Sequence, residues 1–231
     1  MTSRAQVLDA LSGVRDPELD EPITDLDFVS ELEVENGAAS VRLRLPTYFC
    51  APNFAYLMVA DAKDAVLSVP GIESASVVLD DHYASVEING GVNGEHGFDG
   101  AFPDETESPD LEDLRTVFRR KSFVSRQEQL CRGLLAEGKA PSDLAWMTLA
   151  EVPASDSLQK YLERRAALGL DISGEAPLVV DPQGKRIPED AVVQHLRFAR
   201  TVRVSIEGNA ELCTGLLAAR YRIPEREERT A

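Results

Sequence analysis

Cys50 lies where a predicted strand passes into a predicted helix. Residues 40–45 alternate apolar and polar side chains, which is typical of a strand buried on one face. Apolar residues then recur at helical spacing over about residues 52–68, and Pro52 suits a first helical position. We therefore expect Cys50 just before a helix N-terminus, where backbone N–H groups and the helix dipole make a thiolate easier to form than in water. Such a thiolate would ligate metal or attack an electrophile, and the alternative is a small buried core residue.

A cysteine-dependent enzyme would need a base beside Cys50. His82, in a predicted turn after two aspartates, is the histidine nearest to Cys50 within the same predicted domain. The sequence contains no Cys-x-x-Cys, His-Glu-x-x-His, phosphate-loop or Gly-x-Ser-x-Gly motif, so the usual signatures of several enzyme classes are missing. Two alternatives stay open beside a metal-handling role: an enzyme with Cys50 as nucleophile, and a structural adaptor with an inert Cys50.

The overall charge and the cysteine count narrow the classes of partner. The chain has 231 residues and a formal net charge of −16, which argues against nucleic acid and anionic membranes as partners. It has no apolar run long enough to span a membrane and no signal-peptide pattern. Three widely separated cysteines argue against a disulfide framework and favour the cytoplasm. Cys131 and Cys213 lie beside leucines in predicted amphipathic helices, so we expect both to be buried.

The hydrophobic periodicity predicts an α+β fold, with an N-terminal two-layer α/β sandwich around a small mixed sheet and a mainly α-helical C-terminal domain. Residues 91–108 are rich in Gly, Pro and acidic side chains and are predicted to link a domain of residues 1–90 to one of residues 109–231. In the first domain the patterns predict helices over 4–14 and 52–68, apolar or strand segments over 25–34, 40–45 and 72–79, and a strand over 83–88. In the second domain the patterns predict six helices, which begin at residues 111, 141 and 188 or span residues 125–137, 155–168 and 209–221. They also predict a short hairpin near residues 178–187, and they fit either a strand or a helix over residues 202–206.

Several N-terminal features occur together in an order that resembles a known family. They are the Asp16-Pro17-Glu18 turn, the Asp25-Leu26-Asp27-Phe28-Val29 stretch, and the Pro46-Thr47-x-x-Cys50 joint between strand and helix. In combination they resemble the metal–sulfur (iron–sulfur) cluster assembly family, which includes the SufT and PaaD proteins. The resemblance covers about residues 4–89. It implies a small α/β sandwich that helps to deliver or install a metal cofactor in a client protein.

The resemblance also implies roles for particular residues. Cys50 would be the functional thiol that binds a metal ion or cluster. Asp16 and Glu18 would form a supporting acidic turn, and the motif loop would consist of Thr47, Tyr48 and Phe49. The chain would then be an assembly factor and not an enzyme, and it would carry iron or an iron–sulfur cluster transiently. Because a cluster normally takes four cysteinate ligands, a second subunit, the client, glutathione or carboxylates would have to supply the others.

The motif departs from the family pattern at two points. Only two residues separate Thr47 from Cys50, where the family usually has three, and Ala51 lies between Cys50 and Pro52. This variant resembles a subgroup of accessory proteins encoded beside soluble diiron monooxygenases of the propane-oxidising type. The client would then be an iron–sulfur protein or a diiron monooxygenase component. The C-terminal half lies outside the resemblance, and we expect it to recognise the client or to pair two copies of the chain as a homodimer.

Overall fold

The computed structural model of the protein describes residues 3–94, 97–103 and 111–223. The chain divides into two compact units, one formed by Met1–Glu112 with Asn209–Ala231 and the other by Asp113–Gly208. A small mixed sheet in the first unit and a mainly helical second unit confirm the predicted α+β class. The domain boundary at residues 91–108 stays a prediction, but packing groups the last helical turns of the described chain with the N-terminal unit.

The sheet of the first unit has three strands in sequential order: β1 (Val29–Glu35), β2 (Ala38–Leu43) and β3 (Ser74–Leu79). β1 and β2 are antiparallel and are joined at Asn36 and Gly37, whose φ angles of 48° and 81° are those of a primed hairpin turn. β2 and β3 are parallel, and α2 (Pro52–Leu67) forms the crossover between them. This order places the β2–α2 joint at one end of the sheet, which is where Cys50 lies.

Helices cover one face of this sheet and enclose the core of the first unit. α1 (Arg4–Ser12) and α2 pack against each other, and α2 also packs against β3. Leu11, Val41 and Val59, from one helix, one strand and the second helix, are fully buried. Burial of such apolar side chains is the main stabilising contribution to a sandwich of this size.

The predicted strand at residues 83–88 is wrong, because this segment opens the helix α3 (Ser85–Asn93). Its alternating pattern over six residues is too short to separate strand from helix. The longer pattern is helical: Ala84, Ile88 and Val92 are spaced by four residues and are all buried. A further helix, α4 (Gly97–Ala101), lies in the described part of the predicted linker.

Two asparagines of α3 occupy the hydrogen-bonding positions that a fourth strand would have filled. The Asn89 side chain accepts from Leu79 N at 2.8 Å and donates to Leu79 O at 3.1 Å. The Asn93 side chain makes the same pair of bonds with Val77, its donated bond being 2.7 Å. The side-chain amide carries both a donor and an acceptor, so it satisfies the backbone of the edge strand and protects that edge from pairing elsewhere.

The second unit is built from α5 (Glu112–Ala136), α6 (Pro141–Trp146), α7 (Asp156–Ala167) and the first part of α8 (Val192–Tyr221). Single 3₁₀ turns occupy Leu149–Glu151 and Glu189–Ala191. α5 is one continuous helix where two were predicted, and residues 202–206 are helical. None of the helices in the described ranges is long and apolar enough to cross a membrane.

The predicted hairpin near residues 178–187 is present as a short turn with one antiparallel bridge, between Val180 and Arg186. Backbone bonds from Ile187 N to Val179 O at 3.1 Å and from Asp181 N to Lys185 O at 2.9 Å join its two arms. Helix side chains also bond to the backbone at its start. The Tyr161 hydroxyl donates to Leu178 O at 2.8 Å, and the buried guanidinium of Arg165 donates to Pro177 O at the same distance. Polar helix side chains thus satisfy carbonyl groups at the start of the hairpin and hold it to the helical core.

Candidate functional site

Cys50 lies in the loop between β2 and α2, two positions before Pro52, the first residue of α2. It is a free thiol and is half-buried, packed on one side against the core of the first unit. The predicted position before a helix N-terminus and the predicted partial exposure are both confirmed. No side chain caps α2, since its N-cap residue is Ala51.

Thr47 orients the Cys50 thiol through a short hydrogen-bonded loop. The Thr47 hydroxyl lies 3.3 Å from Cys50 Sγ and accepts a bond from the Phe49 backbone N–H at 3.2 Å. A hydroxyl oxygen can accept that bond and still donate its own proton, so either the Thr47 hydroxyl or the Cys50 thiol can be the donor between them. The motif loop therefore offers a hydrogen-bond donor to Cys50 when the sulfur is a thiolate.

His82 lies beside Cys50 but does not bond to its sulfur. Its Nε2 lies 2.7 Å from the Cys50 carbonyl oxygen, and its Nδ1 accepts from the Ala84 backbone N–H at 3.2 Å. A carbonyl oxygen only accepts and a backbone N–H only donates, so the imidazole is the neutral tautomer with its proton on Nε2. Burial lowers the pKa of His82, in agreement with a neutral ring. Both ring nitrogens are thus engaged in holding the loop, and neither is placed to take a proton from the thiol.

The acidic turn at Asp16 and Glu18 has one buried and one half-buried carboxyl group. Asp16 Oδ1 accepts from the backbone N–H groups of Glu18 and Leu19 at 2.8 and 2.9 Å. Burial raises the pKa of Asp16 to about 6, despite these two bonds, which favour the ionised form. Glu18 Oε1 accepts a bond from Asn209 Nδ2 of α8 at 3.3 Å.

Cys213 is half-buried, which corrects the prediction that it would be sealed in a core. It packs against the same hydrophobic cluster as Cys50. Burial, followed by the charges of Asp16, Cys50 and Glu18, raises the pKa of its thiol to about 11. Cys213 is therefore within electrostatic range of three residues that the family resemblance singles out.

Cys131, in contrast, is confirmed as a core cysteine. It is fully buried among the leucines of the second unit. Burial raises the pKa of its thiol to about 12, with a smaller contribution from Glu128. A buried thiol of this kind is chemically inert, so Cys131 is a useful control for the other two cysteines.

The end of α8 is anchored beside the Cys50 loop by Arg220 and Tyr221. Arg220 donates to Leu45 O at 3.1 Å and to Asp81 O at 2.7 Å, and pairs with the Asp81 carboxylate at 2.6 Å. The Tyr221 hydroxyl donates to the same carboxylate at 3.3 Å, and the Arg44 guanidinium lies 5.1 Å from the Tyr221 ring centroid. These contacts hold the last turn of α8 against the two loops that flank Cys50.

Three aromatic side chains next to Cys50 are open to solvent, and we call them the aromatic surface: Tyr48, Phe49 and Tyr83. Phe49 is 79% exposed, Tyr83 50% and Tyr48 44%. The rings of Tyr48 and Phe49 meet edge-on at 5.3 Å, and Tyr48 lies 6.2 Å from Tyr83. The sequence left open whether Tyr48 and Phe49 belong to the core, and the structure places both outside it.

Sequence reasoning missed Asn209, Cys213 and Arg220 as parts of this site. Their spacing indicates one buried face of α8, but not what that face packs against. Among the described residues, no group of three or more His, Cys, Asp or Glu side chains is arranged to hold a metal ion. The site therefore offers thiols and carboxylates near one another without a complete set of metal ligands.

Comparison with known proteins identifies the family of this chain. Residues 4–79 match the model of the iron–sulfur cluster assembly protein family. An uncharacterized protein of Methanocaldococcus jannaschii is 30% identical over 90 residues, which cover 38% of this chain and 93% of that protein. No solved structure matches the chain. With Cys50 and the acidic turn both inside the matched segment, the chain belongs to the iron–sulfur cluster assembly protein family.

Proposed function

We propose that this protein is a maturation factor that delivers or installs an iron–sulfur or diiron centre in a client metalloprotein, with Cys50 as its functional thiol. The observation that carries the proposal is the position of Cys50. It is a partly exposed thiol at a strand–helix joint inside the family-matched segment, with a hydroxyl 3.3 Å from its sulfur. A thiolate there can take a metal ion or cluster and still be reached by a second protein.

In this proposal iron or the cluster is cargo, held for a short time and then passed on. Cys50 supplies one of the four cysteinate ligands that a cluster normally has. The client, or a second copy of this chain in a homodimer, supplies the remaining ligands, and transfer proceeds as the client's ligands replace those of the carrier. We place this activity in the cytoplasm, where thiols stay reduced.

The aromatic surface is the part of the first unit that we expect the client to contact. It lies directly beside the thiol that would be presented, and exposed aromatic side chains are over-represented among interface anchors. A client bound there would have its own metal ligands next to Cys50. The motif variant resembles proteins encoded beside diiron monooxygenases, so such a hydroxylase or its reductase is our first candidate client.

The two alternatives are less well supported by the geometry. A cysteine nucleophile needs a base, and both nitrogens of His82 are committed to backbone groups. A structural adaptor requires no accessible thiol, whereas Cys50 is partly exposed. The maturation factor is therefore the function that we carry forward.

A complementation experiment tests the proposal in the organism that encodes the chain. Cells lacking the gene would receive the wild-type chain, Cys50→Ala, or the matched control Cys131→Ala, which removes the same atom from a core position. Iron occupancy would be measured in their iron–sulfur enzymes and in any soluble diiron hydroxylase. We expect wild type and Cys131→Ala to restore occupancy and Cys50→Ala to fail, and full occupancy with Cys50→Ala would contradict the role of this thiol.

A further inference from the structure

The second unit contains a cavity of about 400 Å³ that is lined by α5, α6 and the first part of α8. From α5 come Glu128, Arg132 and Leu135, which share one helical face because they are spaced by four and three residues. The lining residues of α8 have similar spacing: Val193, Leu196, Arg197, Arg200 and Arg203. α6 adds its first residue, Pro141. Small-molecule sites typically have volumes of about 300–1,000 Å³, so this cavity is large enough to hold a ligand.

A buried ion pair joins the two long helices at the cavity. Arg203 Nε donates to Glu128 Oε2 at 2.5 Å, and both side chains are almost fully buried. The Arg203 guanidinium also bonds to Glu207, one turn further along α8. Because two carboxylates already neutralise Arg203, this residue helps to build the cavity and is not the group that would attract a ligand.

Three other arginines at the cavity are exposed: Arg132, Arg197 and Arg200. In the part of the chain that the structure describes, none of them forms an ion pair with a carboxylate. This cluster of cations runs against the overall charge of the chain, which has 40 acidic and 24 basic side chains. Cations that share one cavity repel each other, and a bound anion would remove that repulsion.

Apolar side chains form the remainder of the lining, namely those of Leu135, Pro141, Val193 and Leu196. Ligand sites commonly combine apolar walls with a few charged groups that fix the orientation of the ligand. An inorganic anion would use the arginines alone and leave the apolar wall in contact with water. The lining therefore favours a ligand that carries both an anionic group and an apolar body.

We infer that this cavity binds an organic dianion with an apolar body, held by Arg132, Arg197 and Arg200. A guanidinium group can donate two parallel N–H bonds to a carboxylate or a phosphate, so a phosphate monoester or a dicarboxylate has the required chemistry. The site belongs to the second unit and lies outside residues 4–79, the segment that matches the family. It does not depend on the proposed maturation role of Cys50.

The test is isothermal titration calorimetry of the full-length chain at low ionic strength, with phenyl phosphate, phthalate and inorganic phosphate as probes. We expect phenyl phosphate or phthalate to bind at one molecule per chain, and the tighter of the two identifies the anionic group that the site prefers. Inorganic phosphate should bind at least about tenfold more weakly, because it cannot cover the apolar wall. The inference is overturned if neither organic probe binds, or if inorganic phosphate binds as tightly as they do.

Charge-removing variants locate the binding site of the tighter organic probe. Arg197→Gln and Arg200→Gln should each weaken its binding about fivefold, the upper end of what one exposed ion pair contributes. The matched control is Arg120→Gln, which removes an exposed guanidinium of α5 that does not line the cavity and should leave the affinity unchanged. Equal affinity in all three variants would show that the probe binds elsewhere.

A second measurement uses the unaltered chain and does not depend on the fold of a variant. Phenylglyoxal modifies exposed arginines, and peptide mass spectrometry would follow each site with and without a saturating concentration of the same probe. We expect the probe to slow modification of Arg132, Arg197 and Arg200 and to leave Arg120 unchanged. Protection of none of the four, or equal protection of all four, would overturn the inference.

Discussion

Asn209 Nδ2 donates a hydrogen bond to Glu18 Oε1 at 3.3 Å, although the two residues are 191 positions apart in the sequence. The bond joins the acidic turn of the family-matched segment to a helix that lies outside that segment. The same helix buries Leu217 in the core of the first unit. A fragment of residues 1–90 would lose these contacts, so we expect it to be less stable than the complete unit.

The stability effects of Cys50→Ala and Cys131→Ala should differ although both remove the same sulfur atom. Cys50 is half-buried in a loop, so its loss should lower the free energy of unfolding by no more than about 1 kcal/mol. Cys131 is fully buried, and the small cavity left there should cost more, about 1–2 kcal/mol. Urea denaturation followed by circular dichroism measures both values. A larger loss for Cys50→Ala would mean that Cys50 is chiefly a packing residue.

The pKa of Asp16 predicts a pH-dependent term in stability. Burial raises that pKa from 3.8 to about 6, so the folded chain retains a proton that the unfolded chain has already lost. The stabilising contribution of the neutral carboxyl is complete below about pH 4 and is lost as the pH rises through about 6.

The variant Asp16→Asn tests this linkage, because the amide oxygen can still accept from Glu18 N and Leu19 N but no longer titrates. Between pH 4.5 and 7.5, wild type should lose on the order of 2 kcal/mol of unfolding free energy relative to Asp16→Asn. Urea denaturation of both chains at each pH measures the difference. A constant difference over this range would show that Asp16 titrates normally.

The contacts of Arg220 predict that this side chain controls access to Cys213. Arg220→Ala removes bonds to Leu45 O and Asp81 O and the ion pair with the Asp81 carboxylate, and should cost about 2 kcal/mol. Loosening of the last turn of α8 should also speed alkylation of Cys213, measured by peptide mass spectrometry. The control Arg222→Asn removes a neighbouring exposed cation and keeps a residue that tolerates its positive φ of 52°. Equal alkylation rates in both variants would contradict the anchoring role of Arg220.

Phe49→Ser tests the aromatic surface as the contact for the client. Phe49 is 79% exposed, so its replacement should change stability by no more than about 0.5 kcal/mol. Iron occupancy of the client should nevertheless fall in complemented cells, because exposed aromatic anchors dominate binding energy. Phe198→Ser, at a 64% exposed phenylalanine of the second unit, is the matched control. If both variants support equal occupancy, the client does not contact Phe49.

Adjacent glycines of α3 should respond in opposite ways to alanine. A Cβ at Gly91 would lie 2.7 Å from Ala101 Cβ and 3.2 Å from the Tyr56 ring, so Gly91→Ala should cost about 1–3 kcal/mol. A Cβ at Gly90 meets nothing within 4 Å, and Gly90→Ala should be neutral or stabilising by up to about 1 kcal/mol. Thermal unfolding of the two variants compares them directly. Equal stability would mean that α3 and α4 do not pack closely at Gly91.

Features of the site that depend on short stretches of chain could be predicted from the sequence. The Asn36-Gly37 turn, the alternation in β2 and the helical spacing after Pro52 are local patterns, and they placed Cys50 correctly before α2. The same logic failed at residues 83–88. A six-residue alternation does not show that Asn89 and Asn93 will bond to the backbone of β3.

The sequence by itself determined the α+β class, the strand–helix joint and the partial exposure of Cys50, because hydrophobic periodicity and turn chemistry act over a few residues. Only the tertiary structure decided that Cys213 lies near Cys50 and the acidic turn. Periodicity shows that one face of α8 is buried, but it does not show which surface covers that face. That choice depends on contacts between residues far apart in sequence, such as Asn209 with Glu18, 191 positions apart, and Arg220 with Leu45, 175 positions apart. Such contacts form only when the whole unit packs, because their geometry belongs to no local segment of the chain.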